Sequence, residues 1–251
     1  MNQKTICARL PKMLAAFEEL VIGESTRNGG VSLPPFKSLN LSFNTGDEKE
    51  KVQENRQRFF DSLGIPIHRV VFNHQVHGDD ILIAETPGNY EGFDAIISNK
   101  ENLFITIGLA DCCPLLFYDP IEKVYAGAHA GWRGTVANIG QKVIAAMESE
   151  FNCQAKNIHA YIGTCIDECS FEVDSDVADH FTSDFKRWDE TKQKFFIDLK
   201  QCNKAQLLAK QIPETQIEIS PYSTVLNNED YFSYRKENGN TGRMMAVIGL
   251  L

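Results

Sequence analysis

Apolar residues recur along this chain in two periods, and the alternation between them predicts a mixed α/β fold. Over residues 47–63, Val52, Phe59, Phe60 and Leu63 share one helical face, the first turn is acidic, and Gly64 can end the helix. Arg56 falls on or beside that face, where its charge needs a partner or must snorkel along the edge of the core. Short apolar runs predict strands over 69–74 and 80–85, around a turn at 76–79. Buried strands are expected over 103–109 and 114–118, on either side of a junction at 110–114, and another strand over 123–129. A helix then runs through Ile139, Val143, Met147 and Phe151. Further helices are expected over 175–188 and 202–211, and further strands over 216–219, 231–234 and 245–250. No linker, repeat or low-complexity tract interrupts the pattern. One continuous domain over residues 1–251 is therefore expected, of α/β or α+β class with mixed sheets.

Composition narrows the function classes. The chain is 43% hydrophobic and 24% charged, as an ordinary water-soluble domain is. Its net charge of -9 argues against a general nucleic-acid binder, while leaving room for a local basic pocket that holds a phosphate. The opening apolar stretch is broken by Pro11, Lys12, Glu18 and Glu19, unlike a signal peptide. The most apolar segment, 103–118, carries Asp111 and Pro114 in its middle, where a membrane span needs about 20 apolar residues. A cytoplasmic location follows as the expectation, with no membrane or protein partner inferred. The seven cysteines are then expected as free thiols, and none has the CxxC spacing of a closed structural zinc site.

Three segments place ligand-type residues where predicted strands end: Asn73-His74-Gln75-Val76-His77-Gly78, Ala110-Asp111-Cys112-Cys113-Pro114, and Gly127-Ala128-His129-Ala130-Gly131-Trp132-Arg133-Gly134. His77, Cys112 and His129 offer two imidazoles and one thiolate, a set suited to zinc or copper. Three protein ligands with an open fourth position is the catalytic pattern. Asp111 beside Cys112 can orient a ligand or accept a proton. Taken residue by residue, a buried packing role for each of these histidines and cysteines stands beside the metal reading.

These segments read QVHG, ADCxP and HAGWRG, and in that order they resemble the multicopper polyphenol oxidase or laccase-domain family, also called the peptidoglycan-editing-factor family. Nearly the whole chain takes part. Arg27-Asn28-Gly29-Gly30-Val31-Ser32 and Ser38-Leu39-Asn40-Leu41 resemble its N-terminal elements, and Glu54-Asn55-Arg56 its first helix. The stretch from Tyr161 to Val173 is similar to its IGPxIxxCCYEV pattern, with Thr164 in place of proline and Ser170 in place of a second cysteine. Ser233-Tyr234-Arg235 and Thr241-Gly242-Arg243 resemble its C-terminal end. The resemblance implies a four-layer α/β/β/α sandwich, with His77, Cys112 and His129 as ligands of zinc or copper.

It also implies phosphorolysis of adenosine, inosine and methylthioadenosine, with adenosine deamination as a second activity. Purine nucleosides and phosphate are then the expected partners. Deamination needs an activated water at the amino-bearing carbon, which such a metal supplies. Phosphorolysis needs a held phosphate. Arg133 precedes a helix N-terminus, and Arg56 and Arg27 are candidates to complete a phosphate clamp. Ser32 and Asn40 are candidates to hydrogen-bond ribose or base, and Asp111 to take a proton. The bland readings are a solvated loop arginine at 27, a Trp132–Arg133 stack, and turn-forming roles for Ser32 and Asn40. Two other chemistries stay open. Copper-dependent oxidation of phenols by several coppers calls for many histidines, and the chain has six. A Cys–His hydrolase, with Cys112 as nucleophile and His129 or His77 as base, would suit editing of peptidoglycan precursors. A scaffold role is the remaining class, with Trp132 and Leu33-Pro34-Pro35-Phe36 as a docking surface.

Overall fold

Two six-stranded sheets face each other, and helices cover both outer faces. The structure, a computed structural model, describes residues 7–251. The first six residues of the segment read against a leader lie outside that range. Elements are numbered in chain order. The first sheet runs β1 (Ala8–Arg9), β2 (Leu20–Ser25), β15 (Met244–Leu250), β7 (Leu103–Leu109), β3 (Val70–His74) and β5 (Gly88–Glu91) in space. The second runs β14 (Ile217–Ile219), β10 (His159–Ile162), β8 (Cys113–Asp119), β9 (Val124–Ala130), β6 (Ala95–Ser98) and β4 (Ile81–Ile83). Both are mixed: β3 is parallel to β5 and β7, β10 to β14, and β4 to β6, while the other pairs are antiparallel.

The two-residue side-chain period of a strand builds the layers. On β15, Met244, Ala246, Ile248 and Leu250 point between the sheets, and Met245 and Val247 point outward. On β8, Leu116 and Tyr118 face the first sheet, while Cys113, Leu115 and Phe117 face the helices behind. Helix α1 (Lys49–Ser62) lays Phe59 and Phe60 over the outer face of the first sheet, against Phe104, Met245 and Val247. Helix α3 (Ile139–Phe151) puts Ile139, Val143, Ile144 and Met147 on the outer face of the second, joined there by Leu207 of α5 (Leu199–Ala209). Each of these buried side chains contributes roughly 1.5–3 kcal/mol relative to exposure. The order is α/β/β/α. No helix among the described residues is long and apolar enough to cross a membrane.

Two expected elements are corrected. The helix expected over 175–188 shrinks to α4 (Ser175–Ala178), after β11 (Glu172–Val173), and the chain then enters β12 (Lys186–Asp189), paired with β13 (Lys194–Ile197). Phe181, Phe185 and Trp188 imitate a helical stripe, but Thr182, Ser183 and Asp184 are weak helix formers. Trp188 instead stands opposite Phe195 at a ring distance of 4.7 Å, a cross-strand pair. The strand expected over 231–234 is an irregular turn. Local side chains take its backbone groups: Asn228 Nδ2 donates to the Tyr231 carbonyl, and the Ser233 N–H donates to Glu237.

Candidate metal centre and pocket

His129 sits on β9 with the parity of Tyr125, so its ring turns into the space between the sheets, where it is 4% exposed. Cys112 lies on the crossover from β7 in the first sheet to β8 in the second. His77 lies on the turn after β3, exposed, with a positive φ of 59°. The neighbouring Asp111 also has a positive φ, of 82°. Non-glycine residues in that region are strained, and they cluster at functional sites. Strand ends from both sheets thus bring His77, Cys112 and His129 together, with their ligand atoms all within 4.8 Å of one another. Gly131, starting the short helix α2 (Trp132–Val136), leaves room for them: a Cβ there would lie 3.0 Å from Cys112 Sγ and 3.3 Å from His77 Nδ1.

Asp94, absent from the sequence-based candidates, organises the same site. Fully buried just before β6, its Oδ1 accepts from His129 Nδ1 at 2.8 Å and from the His77 N–H at 3.1 Å. Its Oδ2 accepts from the Gly78 N–H at 2.7 Å and the Val76 N–H at 3.1 Å. Despite its burial, these bonds and the His129 ring hold the carboxyl below its ordinary range.

Burial alone would push the Cys112 thiol up and the His129 imidazole down. Their mutual attraction outweighs it, with His77 helping the thiol and Asp94 helping the imidazole. Cys112 falls to about 6 and His129 rises to about 9. Without metal, each group thus favours the charged form of the other. A thiolate flanked by two imidazoles, one with its Nδ1 already tied and its Nε2 free, fits a single zinc or copper ion. Asp111 has less freedom. Its oxygens accept from Thr224 Oγ1 at 2.5 Å and from the Arg235 N–H at 2.6 Å, so it pins two loops beside Cys112. Burial raises its carboxyl all the same.

The three ligand residues open onto a cavity of about 770 Å³ with aromatic walls that include Phe43, Phe72, Tyr90, Trp132 and Tyr234. Arg56 and Arg243 enter it from opposite sides of Leu41. Arg56 Nε donates to the Leu41 carbonyl at 2.7 Å, and the Leu41 N–H donates to the Arg243 carbonyl at 3.0 Å. The Arg56 guanidinium lies 4.3 Å from the ring centres of both Phe43 and Phe72, and burial lowers its pKa to about 10. Burial also lowers that of Arg243. Among the described residues, neither arginine has a carboxylate within salt-bridge distance. The Arg243 guanidinium donates to the Thr241 and Gly242 carbonyls and lies over Tyr234, with Asp111 and Cys112 as its nearest acidic neighbours; two half-buried guanidinium groups without a salt bridge therefore line the cavity.

The other four candidates do not reach the cavity. Arg27 spends its guanidinium on the Lys37 and Asn228 carbonyls and on Glu237, stacked over Phe232. Arg133 is exposed, over the Trp132 ring at 4.4 Å. Ser32 Oγ donates to Asp47 and accepts from Asn55 Nδ2. Asn40 donates to Ser42, Thr45 and Asp47, and its Oδ1 accepts from the Arg243 N–H at 2.9 Å. Of the three arginines expected to form a clamp, Arg56 lines the cavity and Arg27 and Arg133 do not, while Arg243 lines it too. Arg243 stood in a quoted motif without a role, and Asp94 had no local pattern to mark it.

A family model described as multi-copper polyphenol oxidoreductase laccase matches residues 21–251. A purine nucleoside phosphorylase of Deinococcus radiodurans is 37% identical over 90% of this chain and 87% of its own length. The purine nucleoside phosphorylase YlmD of Bacillus subtilis is 31% identical over 93% and 89%. The crystal structure of the Bacillus licheniformis hypothetical protein YfiH superposes with a TM-score of 0.90 at 30% identity, covering 97% of this chain and 99% of that one.

Proposed function

The chain belongs to the multi-copper polyphenol oxidoreductase laccase family, and on that premise we propose that it is a metal-dependent purine nucleoside phosphorylase. The observation that carries this reading is one aromatic-walled cavity holding both a His–Cys–His ligand set and the Arg56–Arg243 pair. Oxidation of a phenol does not call for two guanidinium groups without salt-bridge partners in the pocket, whereas a phosphorolytic enzyme must hold a phosphate dianion beside the anomeric carbon. Arg56 and Arg243 supply that hold, and the rings of Phe43, Phe72 and Tyr234 offer faces to a purine. Attraction to two guanidinium groups that have no salt-bridge partner would offset the loss of hydration of the phosphate. The phosphate oxygen then bonds to the anomeric carbon as the glycosidic bond breaks, and the departing base takes the electron pair and a proton. A zinc or copper ion bound by His77, Cys112 and His129 supplies Lewis-acid chemistry. The substrates proposed are adenosine, inosine and methylthioadenosine, with deamination of adenosine as a second activity.

The test is a product assay on purified protein of known metal content, with adenosine and inosine incubated with and without phosphate. Phosphate-dependent release of base and ribose 1-phosphate, lost in Cys112→Ala, is the expected result. No turnover by protein holding one equivalent of zinc rejects the proposal. One geometric feature favours a second reading: Asp94, His129 and Cys112 stand in the order of orienter, base and nucleophile of a cysteine hydrolase. Assay of metal-free protein against amide substrates separates the two: turnover without metal that alkylation of Cys112 abolishes supports the hydrolase, and activity seen only after metal loading supports the metal enzyme.

A further inference from the structure

We infer that Asp94 is the positioning residue of the metal centre, one carboxylate that sets the tautomer of His129 and the loop geometry of His77 together. The inference rests on the metal-dependent reading of the site. Asp94 reaches two ligands that arrive from different sheets. Through Oδ1 it takes the Nδ1 proton of His129 at 2.8 Å, leaving Nε2 as the free ligand atom. The same oxygen takes the His77 N–H at 3.1 Å, and Oδ2 takes the N–H groups on either side of it, of Val76 and Gly78. Three successive amides aimed at one carboxylate hold the turn that carries His77 at a φ of 59°. The backbone is tied in as well, since the His129 N–H donates to the Asp94 carbonyl at 2.7 Å. With the carboxylate fully buried, water does not substitute for it. An all-acceptor group is required: all four bonds to the side chain come from donors, so an amide in its place must turn an NH₂ group toward at least one of them.

The experiment compares wild type with Asp94→Asn, using zinc alone as the probe. Thermal melts of metal-free protein establish that the variant is folded. Zinc affinity is read by competition with a chromophoric chelator. The Nδ1 proton of His129 is read by ¹⁵N correlation spectroscopy of histidine-labelled, zinc-loaded protein. Wild type is expected to show a slowly exchanging His129 Nδ1–H. Because the amide fails at least one of the four donors, the variant is expected to bind zinc about 10–100-fold more weakly. Unchanged zinc affinity in a folded variant overturns the inference while leaving the metal centre standing. If the variant fails to fold, the wild-type spectrum still decides, because a zinc-loaded His129 protonated at Nε2 overturns it. Zinc binding absent from wild type itself sinks the metal centre and this inference with it.

Discussion

Replacing Arg56 with methionine separates phosphate binding from nucleoside binding. The methionine stem keeps the slot between Phe43 and Phe72, while the charge and the bond from Nε to the Leu41 carbonyl disappear. One charge-assisted hydrogen bond contributes about 1.5–3 kcal/mol. At about 1.4 kcal/mol per tenfold, KM for phosphate should therefore rise roughly 10- to 150-fold. The nucleoside KM should stay near the wild-type value, because the aromatic walls remain. Stability should fall by only about 1–2 kcal/mol: the Leu41 carbonyl and the ring contacts each lose a partner, but a half-buried charge without a counter-ion is relieved. Initial rates over a grid of phosphate and inosine concentrations give both constants, and urea melts give the stability. An unchanged phosphate KM together with a raised inosine KM refutes the assignment and moves Arg56 to the nucleoside.

Three further outcomes follow from the site and its frame. His77→Ala and Cys112→Ala should each lose bound metal and activity while melting close to wild type, since neither side chain is deep in the core; wild-type metal content by mass spectrometry sinks the ligand assignment. Gly131→Ala should fold, because the backbone there has an ordinary φ of -64°, yet weaken zinc binding, since the new methyl meets Cys112 Sγ and His77 Nδ1; a chelator competition that matches wild type counts against it. Burial raises the Glu24 carboxyl above its unfolded value even though Tyr161 and Thr164 donate to it, so its contribution to stability is full at acid pH and is lost as pH rises through the raised value. Glu24→Gln, which cannot ionise, should therefore gain on wild type in urea melts as pH rises from the ordinary carboxylate range, and a difference independent of pH refutes the shift.

That His77, Cys112 and His129 would meet was legible because each sits in a short, distinctive motif at the end of a strand whose apolar run is easy to see. The layers were legible for the same reason: β7, β8, β9 and β15 are dominated by apolar residues, and α1 carries Val52 and Phe59 two helical turns apart. What escaped depends on long-range closure. Asp94 reaches His129 across the pairing of β6 with β9, which the sequence between them does not encode. Arg243 lines the pocket because β15 lies in the middle of its sheet and carries that arginine beside Leu41. Arg27 and Arg133 lie away from the pocket, and arginine near a glycine turn or a helix start looks alike in sequence whether it faces a cavity, Glu237 or water.

Ser32 and Asn40 were expected at the ligand and stand behind it, a distinction that steady-state constants alone would blur. Asn40 holds the Arg243 backbone through Oδ1, and its own carbonyl accepts from Asn55 Nδ2, which also donates to Ser32. Under the proposed phosphate site, removing Asn40 should shift Arg243 and raise the phosphate KM without any contact from Asn40 to phosphate. A double-mutant cycle tells the two roles apart. If Asn40 acts through Arg243, Asn40→Ala should raise the phosphate KM in the wild-type background and change it little once Arg243→Met is present. If Asn40 contacts a substrate of its own, the two effects add as free energies. Thermal melts of all four proteins guard against global loosening, since Asn40→Ala also strips partners from Thr45 and Asp47. Additive effects on the phosphate KM in folded proteins would place Asn40 at the substrate after all, and would count against its acting through the Arg243 backbone.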